Sequence, residues 1–197
     1  MDINIKDGST GNIAEVNSES RVLTQALTAS PQLHEALRNG QVYQVQGTAN
    51  PNNNTVYVLV LDNDSTTKTL VVTYIRCQYF DNSGGTALPT ANTYFEVGHG
   101  IETAAAGTER TPVNTNAGSA NSAEVTCYTA STAQVSGTFA GLDTYYVKGE
   151  AELLTYNKEG SLIAPPGKSI SIRITTDDTA ATAYARISFM MIDPEAY

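Results

Sequence analysis

The 197-residue sequence has no tryptophan, two histidines and two cysteines, and charged residues make up 16 % of it. Each shortage narrows the functions open to the chain. With His34 and His99 as the available imidazole bases, a nucleophilic triad has few candidates, and neither histidine sits in a recognisable nucleophile motif. Cys77 and Cys127 are not spaced as a metal motif. They read as buried thiols in a chain made in a reducing cytoplasm, or as a disulfide if the strands carrying them are neighbours. No run approaches the roughly 18 apolar residues of a membrane span, and the opening MDINIKDGST lacks the apolar stretch of a secretion signal, so neither a membrane nor export is expected. Lys and Arg number 11 against 20 Asp and Glu, for a net charge of −9. That balance argues against a nucleic-acid partner, whose backbone needs clustered cations.

Thr, Asn, Ser and Gly are abundant instead, with 11 tyrosines, which is the composition of strands and turns. The clearest stretch runs from Ile163 to Asp193. Ile170, Ile172 and Ile174 alternate with polar residues, and after Thr176 to Thr182 a second alternation places Ala185, Ile187, Phe189 and Met191 on one side. A period of two buries one face of a strand, so the pair predicts a long antiparallel hairpin, introduced by Pro165, Pro166 and Gly167. Other strands must cover its apolar face.

Residues 1–29 carry scattered apolar anchors, Ile3, Ile5, Ile13, Val16, Val22 and Leu23, between helix and strand breakers. They predict an extended N-terminal arm ordered by whatever it lies against. Ser30 and Pro31 are a helix start and Gly40 a stop, giving a helix over about 31–39 with Leu33, Ala36 and Leu37 on one face. Strands follow at Val42 to Val45, Val56 to Leu61, Leu70 to Phe80 and Thr93 to Val97, the middle two reading as an antiparallel pair across Asp62 to Lys68. Residues 102–122 are small, polar and aperiodic and predict a long surface excursion, where Arg110 and Val113 are candidate partner contacts. Weaker strands at 124–129 and 134–139 precede a long one at Tyr145 to Tyr156 with Gly149 as a bulge. The count of about eight to nine strands in residues 30–197 predicts an all-β, jelly-roll-like antiparallel sandwich. It is preferred to an immunoglobulin-like domain because the Cys–Trp–Cys arrangement is missing.

Chemistry-bearing patterns are weak. Glu96, Glu102, Glu150 and Glu152 could supply a carboxylate pair for glycoside hydrolysis, but nothing singles them out, and Glu150 and Glu152 at period two read as a solvated strand face. Asp62, Asn63 and Asp64 resemble the start of a calcium loop without its glycine and glutamate; Asp177 and Asp178 are equally incomplete, and turn chemistry accounts for both. There is no GxGxxG, P-loop or CxxC. The residues predict no cofactor, no metal and no catalysis.

The order of segments adds a resemblance. GSTGNIAEVNSESRVLTQALT, the short helix, GQVYQVQG, VYVLVLDND, LVVTYI and APPGKSISIRIT together resemble tailed-bacteriophage virion proteins of β-sandwich or jelly-roll type, found as capsid decoration (cement) proteins or as tail and fibre components. The resemblance implies a homotrimer on the outer capsid surface, made in the host cytoplasm, that bridges capsomers of the major capsid protein. As a tail or fibre component it would instead be a receptor- or glycan-binding module, with Tyr94, Tyr145 and Tyr146 as stacking platforms.

Overall fold

The computed structural model describes residues 31–81, 92–104, 107–129, 135–149 and 151–193. Helix α1 (Pro31–Arg38) is followed by β1 (Val42–Ala49), β2 (Thr55–Asn63), β3 (Thr69–Asp81) and β4 (Tyr94–Ala104). Three short strands come next, β5 (Thr108–Arg110), β6 (Val113–Asn114) and β7 (Val125–Thr129). The chain continues through β8 (Val135–Tyr146), β9 (Leu153–Ala164), β10 (Ser169–Thr175) and β11 (Ala181–Ile192).

The strands form two antiparallel sheets, in the orders β6-β1-β11-β3-β9 and β5-β7-β2-β10-β4-β8. Setting aside β5 to β7, the other eight pair as the two arms of one long hairpin: β1 with β11, β2 with β10, β3 with β9 and β4 with β8. That hairpin is rolled so that successive pairs fall in alternate sheets, which is a jelly roll. The short strands are an insertion between β4 and β8. β7 extends the second sheet beside β2, β5 pairs with β7, and β6 adds to the edge of the first sheet at β1.

Several expectations about the strands are corrected. β10 and β11 are not a hairpin: β10 lies between β2 and β4, and β11 between β1 and β3, in the other sheet. Their connection crosses the sandwich, about 10 Å thick, and is held by the Asp178 carboxylate, which accepts from the Tyr79 hydroxyl at 2.5 Å and the Ala180 N–H at 2.9 Å. β2 and β3 likewise sit in different sheets. The long strand expected from Tyr145 to Tyr156 is broken after Tyr146, because Ala151 adopts φ +57° and its N–H donates to the Tyr79 carbonyl, turning the chain toward the opposite sheet. Glu152 is therefore in a turn, where it accepts from the Lys148 N–H at 2.6 Å. Within the excursion expected at 102–122, residues 102–104 continue β4, and 108–110 and 113–114 form β5 and β6.

Alternation decides the core. Ile170, Ile172 and Ile174 from β10 meet Ala185, Ile187, Phe189 and Met191 from β11 between the sheets, with Val58, Leu59, Leu70, Ile75, Tyr79 and Phe95. Burying each large side chain contributes about 1.5–3 kcal/mol. Cys77 on β3 and Cys127 on β7 lie buried in different sheets as free thiols.

The outer face of the first sheet is divided. At one end Val42, Val71, Met190 and Ile192 form an apolar patch that α1 covers with Leu33 and Ala36. Beyond it the same face turns polar, along Gln44, Gln46 and Thr48 on β1. The C-terminus of α1 is closed by Gly40, at φ +63°, and by asparagines from the insertion. Asn114 donates to the Gly40 carbonyl at 2.8 Å, Asn121 to that of Asn39 at 2.9 Å and Asn116 to that of Leu37 at 3.2 Å. These amides bond one carbonyl of the last turn and those of the two residues that follow it, where the helix ladder has ended.

Candidate functional site

The polar part of that face is the floor of a groove of about 890 Å³, walled by the insertion. Its size falls in the range of clefts that enclose small ligands. The floor follows from strand register. Gln46 on β1, Arg186 on β11 and Arg76 on β3 stand in one cross-strand row, and Thr48, Tyr184 and Gln78 stand in the next. All six point outward because their neighbours Val45, Gly47, Ala185, Ile187, Ile75 and Cys77 are buried.

Arg76 and Arg186 are directly opposite each other. Among the described residues neither has a carboxylate partner within ion-pair distance, and Arg186 donates to the Gln46 Oε1 at 3.3 Å. Like charges in directly opposed positions destabilise a sheet. Arg173 on β10 faces Glu96 on β4, with Nε 2.7 Å from Oε2, and its guanidinium lies 3.9 Å from the centre of the Phe139 ring. Arg173 is thus satisfied within the fold, whereas the Arg76–Arg186 pair is left facing the groove.

At one end of the floor Phe80 and Tyr184 meet edge to face, with centroids 5.4 Å apart, and Tyr184 is 43 % exposed. The wall is Glu109, Arg110, Thr111 and Val113. Arg110 and Val113, singled out in the sequence as contact residues, are therefore brought together here, and Val113 is 68 % exposed. Three of the chain's six arginines line this one groove; Glu109 is the acidic residue among the lining residues.

Of the remaining sequence candidates, Ile3, Ile5, Ile13, Val16, Val22 and Leu23 lie outside the described residues, as do Glu150 and the side chain of Glu102. His99 is exposed in a second hollow with Gly100, Ile163 and Lys168; the nearby Ser169 hydroxyl donates to the Ile101 carbonyl, so it is not held by the imidazole as a nucleophile would be. Glu96 is committed to Arg173 and Glu152 to a turn. Tyr145 stacks on Tyr156, with centroids 3.7 Å apart, and Tyr94 packs against the exposed Tyr146. Asn63 bonds the Lys68 and Ala164 carbonyls and the Ser65 N–H, which is turn chemistry. Among the described residues no group of three or more His, Cys, Asp or Glu is arranged to hold a metal.

The Asp62 carboxyl is a further perturbed group. Its Oδ1 is buried without a hydrogen-bond partner, and burial, with the Asp64 charge beside it, pushes its pKa up to about 7. It belongs to the β2 edge of the turn at Asn63 rather than to the groove. No family model, no curated protein and no solved structure matches the chain.

Proposed function

We propose that this protein is a structural subunit of a bacteriophage virion, a capsid decoration protein that stabilises the head by bridging capsomers. The observation that carries the reading is the strand order, a complete eight-strand roll of the architecture that viral capsid domains use. A rigid sandwich of this kind supports contact segments without needing a catalytic cleft. The crest of the insertion, with Arg110 and the exposed Val113, and the segment before α1 are the contact surfaces this reading uses. Many weak contacts of this sort, repeated over a lattice, add through avidity. A trimer and the major capsid protein are the partners proposed.

Co-sedimentation with capsids lacking the protein tests this. Saturable binding that is weakened by removing residues 1–29, or by Val113→Asp, supports the role. Absence of binding by the full chain overturns it. The second reading, a tail or fibre module that binds glycan, is favoured by the exposed Tyr146 beside Tyr94, and it predicts binding to cells rather than to capsids.

A further inference from the structure

We propose that the groove on the outer face of the first sheet is a binding site for an acidic saccharide, with Arg76 and Arg186 holding its carboxylate. The inference is independent of the capsid reading, since it concerns the floor of the groove and not its crest.

A chain with net charge −9 places two guanidinium groups directly opposite each other on an open sheet face, and no described carboxylate pairs with either. A guanidinium fork matches a carboxylate in two parallel hydrogen bonds, so an anion seated between the two side chains removes the repulsion. Gln44, Gln46, Gln78 and Thr48 line the groove with side-chain amides and a hydroxyl. The Gln44 and Gln78 amides each donate once within the fold, to the Ser188 hydroxyl and the Ala151 carbonyl, and the Gln46 Oε1 accepts from Arg186. That leaves the second N–H groups, further lone pairs and the Thr48 hydroxyl for a ring of alcohol groups. Tyr184, exposed and braced edge-on by Phe80, offers an aromatic surface to the apolar side of a sugar ring. Carboxylate, hydroxyls and a flat apolar face occur together in a uronic acid.

The floor favours a saccharide over an acidic peptide. Of the floor strands, β11 and β3 are paired on both sides along the groove, while β1 has β11 on one side and, on the other, β6 at Tyr43 and Gln44 and the Thr129 hydroxyl on the N–H and carbonyl of Thr48. A peptide therefore finds no run of open backbone groups on which to add as a further strand and gain main-chain hydrogen bonds.

The test is a titration of the full chain, followed by backbone-amide NMR, with methyl glucuronide, an oligogalacturonate, methyl glucoside and hexaglutamate. The expected result is that both acidic sugars shift amides of Arg76, Gln78, Tyr184 and Arg186, with affinity reduced at least about tenfold by Arg76→Gln or Arg186→Gln and falling with salt. Lys168→Gln, in the other hollow, should leave binding unchanged. Tyr184→Ala should weaken the sugars while the Arg variants keep their fold by amide dispersion. No binding of either acidic sugar, equal binding of the neutral glucoside, equal binding of hexaglutamate, or affinity indifferent to both arginines would overturn the proposal. Each result is read without capsids, so the two proposals fail separately.

Discussion

Arg76 and Arg186 face each other across the β3–β11 ladder, two positive side chains in the central pair of one sheet. Cross-strand neighbours at this spacing interact directly, and opposed like charges cost stability.

Replacing either arginine by an uncharged residue should therefore stabilise the free protein. Arg76→Gln is expected to gain about 0.3–0.5 kcal/mol at low ionic strength, with the gain shrinking as salt is added. Urea denaturation at two salt concentrations measures it. A loss of stability would mean that the guanidinium stem packs on the sheet in a way that outweighs the repulsion.

Asp62 makes stability depend on pH with a definite sign. Its folded pKa of about 7 lies above the ordinary value of 3.8, from burial first and the Asp64 charge second. The folded state thus holds a proton that the unfolded chain releases, so this group's contribution falls as pH rises from about 4 to about 7. Asp62→Asn should remove the penalty, making the variant more stable than the parent by about 1–2 kcal/mol at pH 8, after allowance for partial solvent exposure. The advantage should vanish near pH 4. Thermal melts of both proteins across that range check the prediction.

Gly40 ends α1 where a side chain has no room. Its φ is +63°, and an added Cβ would collide with the Ser119 side chain. Gly40→Ala should destabilise by about 1–3 kcal/mol through backbone strain and the clash. Asn121→Ala, which strips an amide from the Asn39 carbonyl, should cost about 1 kcal/mol. Chemical denaturation of the two variants and the double variant gives the values and their coupling.

Both cysteines should resist modification in the native state. Burial pushes the Cys77 thiol up to about 12 and raises that of Cys127 as well, so the reactive thiolate is scarce at neutral pH. A thiol reagent is expected to find no reactive group until denaturant is added, when two should appear. Rapid reaction of the folded protein would contradict their burial.

The Tyr145 hydroxyl, the Lys158 ammonium and the Asp143 carboxylate join the neighbouring edge strands β8 and β9. Asp143→Asn should weaken that closure. Lys158 draws the Asp143 carboxyl below its usual range, so the contribution of this carboxylate is present at neutral pH and is lost as pH falls through its depressed pKa. For a pair this exposed the loss should be about 0.5 kcal/mol, read as a smaller acid-side decline in the variant's melting temperature.

Local patterns in the sequence determined much of this protein. Ser30-Pro31 and Gly40 bracketed α1, and the alternation of Ile170 to Ile174 and of Ala185 to Met191 identified the side chains that fill the core. Both follow from periodicity and backbone restriction, which act over a few residues. The partners of each strand were decided by the tertiary structure. Alternation states which face is buried and is silent about which strand lies alongside, so β10 and β11 could be read as a hairpin although they belong to opposite sheets. The same limit hid the groove. Arg76 and Arg186 each look like an ordinary residue on the polar side of a strand, 110 positions apart in the chain. Rolling the eight strands into two sheets sets β3 beside β11 and lays β5 and β6 along the rim. It thereby gathers separated cations into one site, because ladder pairing places side chains by register rather than by sequence distance.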